Sequence, residues 1–122
     1  MKLNSIIPML PVASMSASVE FYQKLGFSVE DRNDDWRWAM LCLDECRLMV
    51  DESINLHPGI PRISVLYLYP EDIFEYHALL RGNGLAVPDL GQSFYGMTEF
   101  RMHDPDGNRL WIGQDTSTHD VG

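Results

Sequence analysis

The chain repeats itself. Adding 58 to a residue number takes Leu10 to Leu68, Met15 to Ile73, Gly26 to Gly84, Phe27 to Leu85 and Val29 to Val87. Further along the offset becomes 62, taking Asp44 to Asp106, Arg47 to Arg109, Leu48 to Leu110 and Val50 to Ile112. The added residues fall in loops. A handful of apolar matches arises by chance, but here a helix, a closing glycine, a strand and a hairpin recur in the same order. A period near 60 is too long for a solenoid unit and suits a duplicated supersecondary module.

The local patterns say what that module contains. Ile6 to Val12 is a short apolar run, and Pro8 and Pro11 confine it to an irregular or edge strand because proline cannot donate to a ladder. Ser14 or Ser16 can cap a helix over Ala17 to Leu25 that Gly26 closes, with Ala17, Phe21 and Leu25 on one face. Phe27 to Glu30, Trp36 to Leu43 and Arg47 to Val50 read as strands, the last two joined at Asp44-Glu45. In the second pass Ile63 to Tyr69 is a strand. Glu71 and Asp72 open a helix carrying Ile73, Tyr76 and Leu80 in a stripe, and Arg81, Gly82 and Gly84 end it. Leu85 to Val87, Met97 to His103 and Arg109 to Ile112 complete the set, with Asp104-Pro105-Asp106-Gly107 as the hairpin turn. The expected fold is α+β: two tandem βαβββ modules, 5–52 and 61–114, whose curved mixed sheets enclose a cavity within one domain. Residues 115–122 read as a flexible tail.

At 122 residues the chain is long enough to fold around a core of its own without disulfide or metal. Eighteen acidic against nine basic residues leave a net charge of −9. A protein that grips phosphates needs a basic face, so nucleic acid and anionic membrane surfaces are not expected partners. No apolar run approaches the ~18 residues of a membrane span, and no signal peptide is legible. Cys42 and Cys46 read as reduced thiols packing in a cytoplasmic protein.

Chemistry-bearing motifs are sparse. His57, His77, His103 and His119 match no metal-ligand spacing, and there is no nucleophile elbow, P-loop or dinucleotide fingerprint. Neither catalytic residues nor a cofactor are expected. Glu99 and Arg101 share one face of their strand, where such a pair is ordinarily structural. The aromatic residues are more informative. Trp36, Trp38, Tyr67, Phe94, Tyr95 and Trp111 lie on strands or loops that would wall the cavity. Strand parity adds Met9 and Met49, putting them on one face with Tyr67 and Trp111. With Asp51, Glu99 and Arg101 at the margin, these eleven residues are the expected ligand-binding set. They suit a planar cation held by stacking and cation–π contact, each worth ~0.5–2 kcal/mol.

Pro8-x-Leu10-Pro11, Phe21-Tyr22, Leu25-Gly26-Phe27 and Asp104-Pro105-Asp106-Gly107-Asn108, in that order, resemble the glyoxalase/bleomycin-resistance/extradiol-dioxygenase (vicinal oxygen chelate) superfamily over residues 5–114. The Pro-x-Leu-Pro opening, the Phe-Tyr helix leading into Leu-Gly-Phe and the Trp-containing third strand look most like the bleomycin-resistance proteins. Metalloenzymes of that superfamily hold a divalent ion with His or Glu from the first and last strands of each module. The resemblance carries those positions to Ile7, Met49, Val65 and Trp111, none of which offers a hard-cation ligand. It therefore implies a non-catalytic homodimer that sequesters a small aromatic, cationic compound such as a glycopeptide antibiotic. The alternative it leaves is a metal-dependent lyase or thiol transferase with relocated ligands.

Overall fold

The computed structural model describes residues 1–57, 59–93 and 95–117. The chain forms two compact units, Met1–Ile60 and Pro61–Gly122. Each has one helix and one four-stranded mixed sheet, so the fold is α+β with two tandem βαβββ modules.

The first unit runs β1 (Met9–Pro11), α1 (Met15–Lys24), β2 (Ser28–Asn33), β3 (Trp38–Leu43) and β4 (Cys46–Asp51). Its sheet order is β1-β4-β3-β2, with β1 parallel to β4 and the remaining pairs antiparallel. β1 is shorter than its apolar run: Pro8 precedes it and Pro11 is its last residue, and neither has an N–H to give. The Pro8 carbonyl still accepts from Met49 N at 2.8 Å. Ser14 Oγ caps α1 by accepting from Ala17 N at 3.2 Å, and Gly26 leaves the helix in the left-handed region at φ 115°. The helix begins two residues earlier than the pattern suggests, and this resets its buried stripe. Met15, Ser18, Val19 and Tyr22 are buried, while Ala17 is exposed and Phe21 half-buried. Leu10, Ala39, Leu41, Leu48 and Val50 alternate along the strands as the matching buried face. Each of these leucine and valine side chains contributes about 1.5–3 kcal/mol on burial, and Ala39 less.

The second unit runs β5 (Val65–Leu68), α2 (Ile73–Gly82), β6 (Gly91–Gln92), β7 (Met97–His103) and β8 (Arg109–Asp115). The order β5-β8-β7-β6 and the parallel β5–β8 pair reproduce the first sheet. Asp72 caps α2, its Oδ1 accepting from Phe74 N and Glu75 N at 3.1 Å. Ile73, His77 and Leu80 are the buried stripe, with Tyr76 half-buried beside it. The strand expected over Leu85 to Val87 does not form. Those residues are irregular because α2 takes up their backbone: Arg81 Nη2 donates to Val87 O at 3.2 Å, and His77 Nε2 lies 2.7 Å from Pro88 O. β8 continues to Asp115, so the C-terminal segment is ordered further than its polarity suggests. Residues 118–122 of the expected tail lie outside the described residues.

Strand register exposes the duplication directly. Met9 faces Met49 and Leu10 faces Val50; in the second unit Tyr67 faces Trp111 and Leu68 faces Ile112. Those positions are related by the sequence offsets of 58 and 62. Between β3 and β7 the offset is 61, since Trp38 faces Asp51 where Glu99 faces Gly113. One inserted residue therefore sits in the β7–β8 turn. No helix among the described residues is long and apolar enough to cross a membrane.

Candidate functional site

In each sheet one face packs beneath the unit's own helix and the other carries the side chains singled out above. In the first unit that second face is built in cross-strand rows. Met9, Met49 and Met40 form one row; Pro11, Asp51 and Trp38 form the next. Trp36 stands beside them on the β2–β3 turn, which the left-handed Arg37 (φ 55°) bends and where Asn33 Oδ1 accepts from Trp36 N at 3.0 Å. Trp36 is 69% exposed. Met9, Trp36, Trp38, Asp51 and Ser53 line an open concavity of about 340 Å³. Four of those five are expected binding residues; Met49 lies in the adjoining row. Ser53 was not anticipated, and a lone serine past a strand end gives no signal. It donates to Asp51 Oδ1 from N at 2.7 Å and Oγ at 2.6 Å, fixing a carboxylate that is only 8% exposed.

In the second unit Tyr67, Tyr95, Glu99, Arg101 and Trp111 come together. Glu99 Oε2 accepts from Tyr95 Oη at 3.3 Å and, at the limit of bonding range, from Tyr67 Oη at 3.5 Å. Arg101 lies 3.9 Å from Glu99 Oε1, and its guanidinium carbon stands 3.9 Å above the Trp111 ring. Tyr67 meets Trp111 edge-on at 6.3 Å and stacks on Tyr69 at 4.4 Å. Burial, followed by the Glu99 charge, raises the Tyr67 phenol above its ordinary pKa. Tyr69, just past the end of β5, is an addition to the expected set; its alternation with Tyr67 is the available signal. Phe94, also expected here, lies outside the described residues.

The donors at the superfamily's metal positions do not suit a divalent ion. Ile7 precedes β1 and is half-buried, Met49 offers a thioether, Val65 a hydrocarbon, and Trp111 an indole whose N–H only donates. Among the described residues no group of three or more His, Cys, Asp or Glu is placed to hold a metal. His77 and His103 contact the backbone carbonyls of Pro88 and Asp104. His119 lies outside the described residues. Cys42 pairs with Arg47 and Cys46 with Leu43, which sets the two free thiols on opposite faces of the sheet.

No curated protein sequence matches the chain. Solved structures do. A bleomycin-binding protein complexed with bleomycin superposes with a TM-score of 0.74 at 22% identity, over 92% of this chain and 98% of the other. A bleomycin resistance determinant encoded on the transposon Tn5 gives 0.75 at 21%, over 94% and 100%. Lactoylglutathione lyase from Agrobacterium tumefaciens gives 0.70 at 15%, over 95% and 97%. Identities this low establish likeness of fold. The family model of the glyoxalase/bleomycin resistance protein/dioxygenase superfamily matches residues 2–112, and the chain belongs to that superfamily.

Proposed function

We propose that this protein is a non-catalytic, homodimeric binding protein that sequesters a small aromatic, cationic compound, with glycopeptide antibiotics of the bleomycin type as the leading candidates. The observation that carries this reading is the concavity lined by Met9, Trp36, Trp38, Asp51 and Ser53. Two indoles supply stacking area, thioethers in the neighbouring row adapt to an irregular guest, and one carboxylate supplies charge. The fold it shares with a bleomycin-binding protein complexed with bleomycin supports the ligand class. Apolar and aromatic residues at the metal positions favour holding a guest over activating one.

Titration with metal-free bleomycin, followed by tryptophan fluorescence, tests the proposal. Trp36 and Trp38 are expected to be quenched with a saturable dependence, at two equivalents per dimer by calorimetry. A flat response to bleomycin and related cationic glycopeptides overturns the antibiotic assignment. Near-stoichiometric metal in protein purified without chelator would overturn the non-catalytic reading. Light scattering during size exclusion checks the dimer, and a monomer mass would remove it.

A further inference from the structure

The two units are built on one plan, yet their carboxylates are not equivalent. In the second unit Glu99 has company: Arg101 approaches one oxygen, and the hydroxyls of Tyr67 and Tyr95 approach the other. Arg101 also covers the face of Trp111, so the chain's own guanidinium already makes the cation–π contact there. Sequence offsets and strand register place Asp51 opposite Trp38 where the second unit has Gly113 opposite Glu99. A side chain at Gly113 would bring its Cβ to 2.7 Å from the Tyr67 hydroxyl and 3.0 Å from the Met97 methyl, so those side chains would have to move to admit it. In the second unit the Tyr67 and Met97 side chains thus stand beside the position that carries the Asp51 carboxylate in the first.

Asp51 is in the opposite condition. It is 8% exposed, and its hydrogen bonds come from Ser53, both to Oδ1. Among the described residues it has no ion pair. Arg47, the nearest base along the chain, is paired with Glu30 at 2.9 Å; Arg37 is engaged with Glu52 at 3.4 Å, and Glu52 also accepts from Met15 N at 2.7 Å. This carboxylate has one oxygen held by Ser53 and no cation beside it, and it lines the concavity, so a positive group entering there meets a charge that no base among the described residues balances. Trp38 faces it directly across β3–β4, and Trp36 lines the same concavity.

We infer that the first unit contains the cation subsite: Asp51 takes the positive group of the ligand while Trp36 and Trp38 take the adjoining planar ring. Selectivity for a cation over its neutral analogue arises there, and the second unit offers an aromatic surface whose charge is balanced internally. This rests on the binding-protein reading and deepens it by assigning the charge recognition to one residue.

The test uses the full-length protein and two probes of nearly the same shape, 1-methylquinolinium and uncharged 1-methylnaphthalene, titrated against tryptophan fluorescence. Asp51→Asn keeps the acceptor for Ser53 and is expected to lose about tenfold or more for the cation while binding the neutral probe within about twofold. Trp36→Leu, at an exposed turn, is expected to weaken both probes. Glu99→Gln is expected to lose less of the cation's affinity than Asp51→Asn. Equal weakening of both probes by Asp51→Asn would mark a structural role and overturn the subsite. So would a Glu99→Gln loss as large as that of Asp51→Asn. Binding of neither probe by the unmodified protein would instead defeat the parent reading.

Discussion

Only 1% exposed at the mouth of the β7–β8 turn, the Asp104 carboxylate accepts from Asp106 N, Asn108 N and Asn108 Nδ2, each at 2.9 Å. Gly107 completes the turn at φ 89°, in the left-handed region that disfavours a side chain. Asp104→Ala would leave buried donors of Asn108 without their acceptor. A loss of about 2–3 kcal/mol is expected from urea denaturation midpoints at unchanged slope. The Asp-Pro-Asp-Gly turn was legible from composition, but the burial of its first residue was not, because local chemistry does not say which side a turn is packed on. Tyr76 makes a second residue-scale case. Burial pushes its phenol from 10.0 up to about 12. The folded state thus holds this proton more tightly than the unfolded chain does. Its contribution is complete below pH about 10 and is lost as pH rises through about 12, amounting to about 2 kcal/mol once solvent screening of this half-buried ring is allowed for. In Tyr76→Phe that part of the alkaline decline in stability should vanish, which paired melts at pH 9 and pH 11.5 can measure.

Helix ends show what an element's sequence can and cannot announce. Both N-caps were among the residues the pattern pointed to, because Ser14 and Asp72 carry short acceptors just before an apolar stripe. They are not equal. Asp72 accepts from two backbone N–H groups and adds a charge at the positive end of α2, whereas Ser14 accepts from one. Asp72→Ala is expected to cost about 1–2 kcal/mol and Ser14→Ala about 0.5–1, read from thermal melts. The phase of α1 was harder to foresee. Ala17, Phe21 and Leu25 satisfy a helical period, but so do Met15, Val19 and Tyr22, and only the sheet beneath decides between them. The missing strand over Leu85 to Val87 has a similar origin. Its β-like residues are real, yet the guanidinium of Arg81 and the ring of His77 take up the carbonyls of Val87 and Pro88 from a helix several residues away. Strand propensity carries no record of such a competitor.

Over the whole molecule, the repeat made the candidate surface readable. Parity along β1, β4, β5 and β8 was enough to set Met9 with Met49 and Tyr67 with Trp111, because a strand has only two faces. Parity could not reveal that Arg101 folds over Trp111 or that Ser53 ties down Asp51, since those contacts depend on rotamers and on where the backbone goes after the strand ends. The net charge of −9 acts at longer range than any of these contacts. A cationic ligand approaching such a chain is steered while the Debye length is long, about 30 Å at 0.01 M salt, and hardly at all when it is about 3 Å at 1 M. The association rate of bleomycin in stopped flow is therefore expected to fall about tenfold across that range, while the dissociation rate changes less than about twofold. Asp51→Asn separates steering from recognition. It removes one of nine net charges, so its association rate should keep nearly the same salt dependence, yet its complex should dissociate faster at every salt concentration. A salt-independent association rate in the unmodified protein would mean that its acidity serves solubility and plays no part in capturing the ligand.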